Sequence, residues 1–175
     1  MKLRAFSLIF CAVMAIVFIS CKKGDTGPQG NPGTANVIYS PWFTASPWKK
    51  DTVFSVYGFS YTKAAPDITQ QVIDSGSVLT YGKLLGYNPV AWPVGQIGQL
   101  PINLTYQQGS IMTDTWSALV TPGNLRIRFV NDQNYYGSIA TTHQFRYIII
   151  PGGEPAGRSR QLTYKEVCEK YNIPE

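Results

Sequence analysis

Residues 100–107 read LPINLTYQ, and apolar side chains recur there at every second position. Because successive side chains of a strand point to opposite faces, this alternation predicts a β-strand with one buried face. The residues of that face are Leu100, Ile102, Leu104 and Tyr106.

Segments of the same kind lie on both sides of this strand. Residues 52–62 (TVFSVYGFSYT) carry apolar side chains on both faces, which predicts a central strand. Residues 67–74 (DITQQVID) predict two helical turns that end at Gly76. Further strands are predicted at residues 37–43, 77–85, 110–120, 125–132 and 143–150. Together with the turn residues between them, these segments predict an all-β fold, an antiparallel β-sandwich of seven or eight strands that occupies residues 36–175.

The composition agrees with one β domain. Of the 175 residues, 14% are charged and 13% are aromatic, so the chain does not have the composition of a disordered charged tail. His143 is the only histidine in the sequence. The sequence therefore excludes sites that need two histidines, among them the HExxH zinc motif, and predicts neither a metal site nor a cofactor.

Residues 1–20 have the pattern of an export signal. Lys2 and Arg4 precede an uncharged run at residues 5–19, which is too short to span about 30 Å of hydrocarbon comfortably. Residues 18–21 read FISC, which resembles a bacterial lipobox, where a small residue precedes the cysteine that becomes lipidated. The sequence therefore predicts a lipoprotein signal peptide and a lipidated Cys21. The alternative is an uncleaved anchor helix with an incidental cysteine.

Cleavage after Ser20 would change both the charge and the cysteine count. It removes two of the 15 basic residues, so the net charge falls from +5 to +3, and a nucleic-acid partner is not predicted. It also removes Cys11. With Cys21 lipidated, Cys168 has no cysteine partner, and a disulfide framework is excluded.

Residues 21–35 are predicted to form a flexible, collagen-like tether. Glycine falls at every third position from Gly24 to Gly33, the Gly-X-Y pattern of collagen. So short a run does not hold three chains together alone, so an extended spacer between lipid and domain is favoured. A trimer seeded here remains the alternative if the β domain itself trimerises.

The C-terminal segment predicts a short helix. Thr163 and Glu166 have the spacing of a capping box at its start. The apolar side chains of one helix face follow, namely Tyr164, Val167, Cys168 and Tyr171. We expect this face to cover an open end of the sandwich, with Cys168 buried as a small apolar side chain. The alternative is a reactive thiol at Cys168.

As a set, these motifs resemble those of lipoproteins from Bacteroidetes-type Gram-negative bacteria that carry a short collagen-like tether and a C-terminal β domain. The resemblance covers essentially the whole chain and rests on CKKG at 21–24, the GDTGPQGNPG run, NVIYS at 36–40 and the closing TYKEVCEKYNIP. It implies a lipid-anchored cell-envelope protein, in the outer membrane and facing either the periplasm or the surface. It implies no catalytic residue.

An enzyme is the less favoured functional class. A serine triad would have to use His143, and the sequence contains no GxSxG motif. Hydrolysis by a carboxylate pair needs only two acids, for which the candidates are Asp67, Asp74, Asp114 and Asp132. The oxygen-rich run NDQN at 131–134 lacks the spacing of an EF-hand, so it predicts a hydrogen-bonded turn rather than a calcium site.

Binding is favoured because tryptophan is abundant and one tryptophan lies in a loop. Trp92 falls within GYNPVAWPVGQIG at residues 86–98, where an exposed indole would stack on a sugar ring or a protein partner. The alternative is that Trp92 folds back over the sandwich. The sequence thus predicts a membrane-anchored binding or scaffolding protein, with carbohydrate or an envelope protein as its partner and Trp92 as the candidate ligand-binding residue. A small envelope hydrolase with paired carboxylates is the second prediction.

Overall fold

The computed structural model describes residues 36–152 and 161–175, which form an all-β sandwich of two antiparallel sheets with a short C-terminal helix. The predicted signal peptide, lipidated Cys21 and collagen-like tether lie outside the described residues. Within the described residues, no helix has the length and apolar character needed to cross a membrane.

Ten strands and two helices make up this part of the chain. In chain order they are β1 (Ile38–Tyr39), β2 (Phe43–Thr44), β3 (Lys49–Val53), β4 (Val56–Ala64), α1 (Gln70–Ser75), β5 (Ser77–Lys83), β6 (Ile97–Gln99), β7 (Ile102–Gln108), β8 (Ser110–Thr121), β9 (Asn124–Asn131), β10 (Gln144–Ile150) and α2 (Tyr164–Tyr171). The first sheet has the order β1-β10-β5-β6, with β2 also paired to β10, and the second has the order β3-β4-β9-β8-β7.

The core lies between the two sheets and confirms the alternating pattern of the sequence. In β9, Leu125, Ile127 and Phe129 are buried, whereas Arg126 is exposed. In β7, Ile102 and Leu104 are buried in the same way. The burial of these apolar side chains stabilises the sandwich, since each contributes roughly 1.5–3 kcal/mol when it leaves water.

The prediction of one strand over residues 52–62 was wrong. Residues Phe54 and Ser55 form a tight turn between β3 and β4, in which Val53 pairs with Val56. Both turn residues have positive φ, 48° at Phe54 and 65° at Ser55. Hairpin turns of this kind usually contain Asn-Gly, and Phe-Ser does not signal a turn in the sequence. The Phe54 side chain, 97% exposed, lies at the hairpin tip.

The conformation of Phe54 predicts that the Phe54→Asn variant is more stable than the natural protein. A bulky residue with positive φ is strained by about 1–3 kcal/mol, whereas Asn tolerates this region, and little burial is lost at an exposed tip. We expect the urea midpoint to rise by an amount equivalent to about 1 kcal/mol. The matched control is Val90→Asn, because Val90 is an exposed apolar loop residue whose φ is not positive. An unchanged or lowered midpoint in Phe54→Asn would show that the turn is not strained.

Other boundaries also differ from the predictions. The segment at 37–43 divides into β1 and β2, and β6 lies in the loop where no strand was predicted. The helix predicted at 67–74 is present but begins at Gln70, because the Thr69 side chain caps it by accepting from the Val72 N–H at 3.2 Å. The capping box of Thr163 and Glu166 is confirmed.

The C-terminal helix α2 covers the outer face of the first sheet, not an open end of the sandwich as predicted. Its buried residues pack against Tyr81 of β5 and Ile148 of β10, which point away from the main core. Both strands are apolar on both faces. Their outer face must therefore be buried by another element. Cys168 is 2% exposed within this layer, as predicted for a buried apolar side chain.

A buried arginine fastens α2 to the sheet. Arg146 of β10 is 3% exposed, and its Nη1 donates to the Tyr164 hydroxyl at 2.7 Å and to the Pro174 carbonyl at 2.6 Å. Its Nε donates to the Ser40 carbonyl at 2.9 Å. Arg146 therefore joins the start of the domain, the sheet and the C-terminal segment.

Candidate functional site

Three connections meet at one end of the sandwich. The β5–β6 loop, the β7–β8 hairpin and the β9–β10 loop all leave their sheets at that end. They surround a cavity of about 1100 Å³. Ligand sites of proteins are typically clefts of about 300–1,000 Å³, so this cavity has the size of a ligand site.

The cavity has an aromatic floor and polar walls. Its floor contains Trp116, Phe129 and Ile139, which belong to the buried core. One wall is formed by residues of the β5–β6 loop and the other by residues 105–108 of β7. Side chains with hydroxyl, amide or imidazole groups complete the lining, namely Tyr87, Asn88, Thr105, Tyr106, Gln107, Gln108, Tyr136, Ser138 and His143.

A buried carboxylate organises the tyrosines. Asp114 of β8 has no exposed surface, and its Oδ2 accepts from the hydroxyls of Tyr87 at 2.8 Å, Tyr106 at 3.1 Å and Tyr136 at 3.1 Å. Its Oδ1 accepts from Asn131 Nδ2 at 2.8 Å. Asp114 thus connects the three tyrosines, which come from different segments of the chain.

These tyrosines are held as neutral hydroxyl groups. Burial, together with the nearby Asp114, raises the pKa of Tyr87 and of Tyr106, and burial also raises the pKa of Tyr136. The Tyr87 hydroxyl additionally accepts from Trp116 Nε1 at 3.0 Å, and this hydrogen bond connects the β5–β6 loop to the cavity floor. The network fixes the shape of the cavity before a ligand arrives, which lowers the entropic cost of binding.

His143 is a buried, neutral histidine of the cavity lining. Its Nδ1 accepts from the Leu85 N–H at 3.1 Å, so the ring proton of the neutral form is on Nε2. Its ring lies edge-on to Trp116, with the ring centroids 4.7 Å apart. Burial lowers the pKa of His143 to about 4, although Asp114 acts in the opposite direction. At neutral pH, His143 is therefore a hydrogen-bond donor and not a cation.

The lining of the cavity carries no charged side chain at neutral pH among the described residues. Of the four acidic candidates, Asp67, Asp74 and Asp132 are exposed, and Asp114 lies beneath the tyrosines. None of the four belongs to the cavity lining. Over residues 36–152 and 161–175, no group of three or more His, Cys, Asp or Glu side chains is placed to hold a metal ion.

The NDQN run at 131–134 forms a hydrogen-bonded turn, as predicted. Asn131 Oδ1 accepts from the backbone N–H groups of Gln133 and Tyr135, both at 3.0 Å. Asn134 Oδ1 accepts from the Tyr57 N–H at 2.7 Å. These amide oxygens order the β9–β10 loop and fasten it to the β3–β4 hairpin.

Trp92 lies in the loop that forms one cavity wall but does not itself belong to the lining. Its indole is half-buried and covers Gly98, where an added Cβ would lie 2.6 Å from the ring. Its Nε1 is buried without a partner among the described residues. This placement corresponds to the alternative in which Trp92 folds back over the sandwich, and ligand binding by Trp92 stays a prediction.

Sequence reasoning selected this loop but missed Tyr87, Tyr106 and Tyr136. One signal was present in β8, where Asp114 falls between Met112 and Trp116 on the buried face of the strand. An acid on an apolar face requires hydrogen-bond donors nearby, but the sequence does not say which residues supply them.

No protein-family model, no curated protein and no solved structure matches the chain.

Proposed function

We propose that this chain is a lipid-anchored binding protein of the cell envelope whose ligand enters the cavity at the loop end of the sandwich. The observation that carries this proposal is a cavity of about 1100 Å³ whose uncharged lining is held in place by the buried Asp114. An apolar floor with a few oriented polar groups is the usual form of a ligand-binding site.

The proposed anchor rests on the sequence and is compatible with the placement of the cavity. The uncharged run at 5–19 followed by Cys21 supports lipidation, and two acyl chains hold a protein at a membrane stably. The described chain enters the domain beside Ile38, which pairs with Ile149 near the far end of β10. The cavity lies at the opposite end, near Gln144. Residue 36, from which the proposed tether would extend, therefore lies at the end of the domain opposite the cavity.

Binding is favoured over hydrolysis by the chemistry of the lining. A general base that works at neutral pH needs a pKa near 7, whereas the pKa of His143 is about 4 and its Nδ1 already accepts from Leu85. The raised pKa values of the tyrosines keep them protonated. Asp114 is occupied by four donors.

The electrostatics of the cavity favour an uncharged ligand. The buried Asp114 carboxylate lies behind neutral walls and disfavours an anionic ligand, since like charges repel. Neutral hydroxyl, amide and imidazole groups offer hydrogen bonds to a neutral polar ligand, and the half-buried rings of Tyr87, Tyr106 and Tyr136 offer stacking. A neutral glycan or a polypeptide segment of the envelope meets these requirements.

Ala140→Phe tests this proposal. Ala140 is an exposed residue of the lining, so a phenyl group there would obstruct part of the cavity without disturbing the core. The full-length protein in detergent would be heated with tryptic peptides of envelope proteins or with neutral glycans released from the same envelopes. A ligand at about 100 times its Kd stabilises by roughly 2.7 kcal/mol, so we expect one pool to raise the melting temperature by about 5 °C or more.

Ala140→Phe should abolish the ligand-induced rise in the melting temperature. Ala64→Phe is the matched control, because Ala64 is an exposed alanine at the end of β4 that is distant from the cavity lining. If neither pool raises the melting temperature, or if Ala140→Phe responds like the natural protein, the cavity is not the binding site.

A further inference from the structure

We infer that the ligand of this cavity is an extended polypeptide segment that pairs with the free edge of β7 as an added strand. The inference rests on the proposed function and specifies the partner. Strand addition to a sheet edge is a general mode of peptide recognition in which backbone hydrogen bonds give affinity and pockets give specificity.

The hydrogen bonds of β8 show which backbone groups of β7 point outward. Thr113 donates its N–H to Asp132 Oδ1 at 2.9 Å, and its carbonyl accepts from the Asp132 N–H at 3.2 Å. Both groups of Thr113 thus point away from β7. In an antiparallel ladder, its partner Thr105 must then direct its own N–H and carbonyl away from β8.

The same alternation applies along the whole of β7. Asn103 and Gln107 lie two residues from Thr105, so their N–H and carbonyl groups also point to the free edge. β7 is the last strand of its sheet, and β8 is its neighbour. Among the described residues, Thr105 and Gln107 therefore offer unpaired backbone donors and acceptors beside the cavity, in the spacing that an extended chain requires, whereas Asn103 lies on the same edge outside the cavity lining.

The cavity runs along this edge. Residues 105–108 all line it, although successive side chains of a strand point to opposite faces. Contact with four consecutive residues means that the cavity reaches the backbone of β7 as well as the side chains of one face. The opposite wall is formed by residues 85–88, 90 and 91 of the β5–β6 loop. Loop residues and β7 residues thus line the same cavity, so an extended segment that enters it can reach the β7 edge.

The edge lacks the features that block strand addition. Exposed edges are usually protected by charged residues, proline or bulges. Residues 102–108 read INLTYQQ and contain neither a charged residue nor a proline. Such an edge, left open beside a cavity, is suited to pairing with another chain.

The surroundings indicate the composition of the segment. Val90 at the cavity mouth is 95% exposed, and Ile111 beside the end of β7 is 70% exposed. Aliphatic side chains contact apolar side chains of a peptide, whereas sugar rings are usually stacked on aromatic rings. The buried Asp114 carboxylate disfavours acidic residues near it, since like charges repel. We therefore expect a segment without Asp or Glu that places one aromatic or large aliphatic side chain in the cavity beside Val90.

Selection from a phage-displayed library tests this inference. The full-length protein would be immobilised in detergent and exposed to random peptides of roughly ten residues, which is longer than an ordinary strand of about five or six. We expect the selected peptides to be depleted in Asp and Glu, to contain an aromatic or large aliphatic residue, and to lose binding to Ala140→Phe.

Proline variants of β7 test the edge pairing itself. Thr105→Pro and Gln107→Pro each remove one outward N–H inside the cavity, and an edge strand tolerates proline where its N–H faces outward. We expect each to weaken peptide binding by about tenfold or more. Asn103→Pro is the matched control, since Asn103 has the same outward orientation on the same edge but does not line the cavity.

The outcomes separate this inference from the proposed function. If neutral glycans, and not peptides, stabilise the protein in a manner that Ala140→Phe abolishes, the cavity binds a ligand but the inferred partner is wrong. If selected peptides bind Thr105→Pro and Gln107→Pro as tightly as the natural protein, edge pairing is wrong. If the free protein is a dimer that Thr105→Pro dissociates, the edge pairs with a second copy and the inference fails. If nothing binds the cavity, both proposals fail.

Discussion

Asp114→Ala is expected to produce a large loss of stability. The change deletes a buried acceptor of four hydrogen bonds and removes the acceptor of Asn131 Nδ2 in the core. Hydrogen bonds to a charged group contribute about 1.5–3 kcal/mol each, but the tyrosine hydroxyls would recover water from the cavity. We therefore expect a loss of roughly 3–5 kcal/mol in urea unfolding.

The matched control for this variant is Asp132→Ala. Asp132 is an exposed aspartate whose Oδ1 accepts a single backbone hydrogen bond, from Thr113. Its removal should cost about 1 kcal/mol or less. Equal losses for the two variants would contradict the role of Asp114 as the organiser of the tyrosines. Ligand binding should disappear in Asp114→Ala even at temperatures where the domain remains folded.

Acid destabilisation that depends on His143 is the second large effect. The folded protein lowers the pKa of His143 from 6.5 to about 4 because the ring is buried. Between these values the unfolded chain binds a proton that the folded protein does not. The contribution of neutral His143 to stability is thus complete above pH 6.5, falls as the pH decreases, and is lost below about pH 4. Integrated over this window, the loss is roughly 3 kcal/mol.

His143→Asn isolates this contribution. The Asn Oδ1 can accept from the Leu85 N–H in place of Nδ1, but the side chain does not titrate. We expect the variant to be less stable at pH 7 and to lose less stability between pH 6.5 and pH 4 than the natural protein. Because both proteins contain the same carboxylates, the difference between their stability curves reports on His143. Parallel curves would show that His143 titrates normally in the folded state.

The alternation of apolar and polar residues predicted most strands of the sandwich, because a strand with one buried face has an apolar side chain at every second position. The alternation of Leu125, Ile127 and Phe129 identified β9, and the spacing of Thr163 and Glu166 identified the start of α2. The β3–β4 turn was missed because its geometry depends on the backbone of Phe54 and Ser55, which are not typical turn residues. The strand β6 was missed because its three residues are too few to show a period.

The candidate site was much less predictable than the fold. The partners of Asp114 lie 27, 8, 22 and 17 residues away in sequence, so only the pairing of strands and loops brings them together. The sequence predicted Asp114 only as one of four candidate carboxylates for hydrolysis. In the structure, both of its oxygens instead accept hydrogen bonds from the protein's own side chains. Trp92 was selected by its proline-rich context, yet it covers Gly98 while its neighbours line the cavity.

Amide hydrogen exchange of β7 tests the central claim most directly. In the free full-length protein, the outward N–H groups of Thr105 and Gln107 should exchange quickly, whereas that of Tyr106, which points to β8, should exchange slowly. A selected peptide at saturation should slow exchange at Thr105 and Gln107 and leave Asn103 unchanged. Protection confined to the β5–β6 loop, with Thr105 and Gln107 still exchanging at their free rates, would contradict a partner strand on this edge.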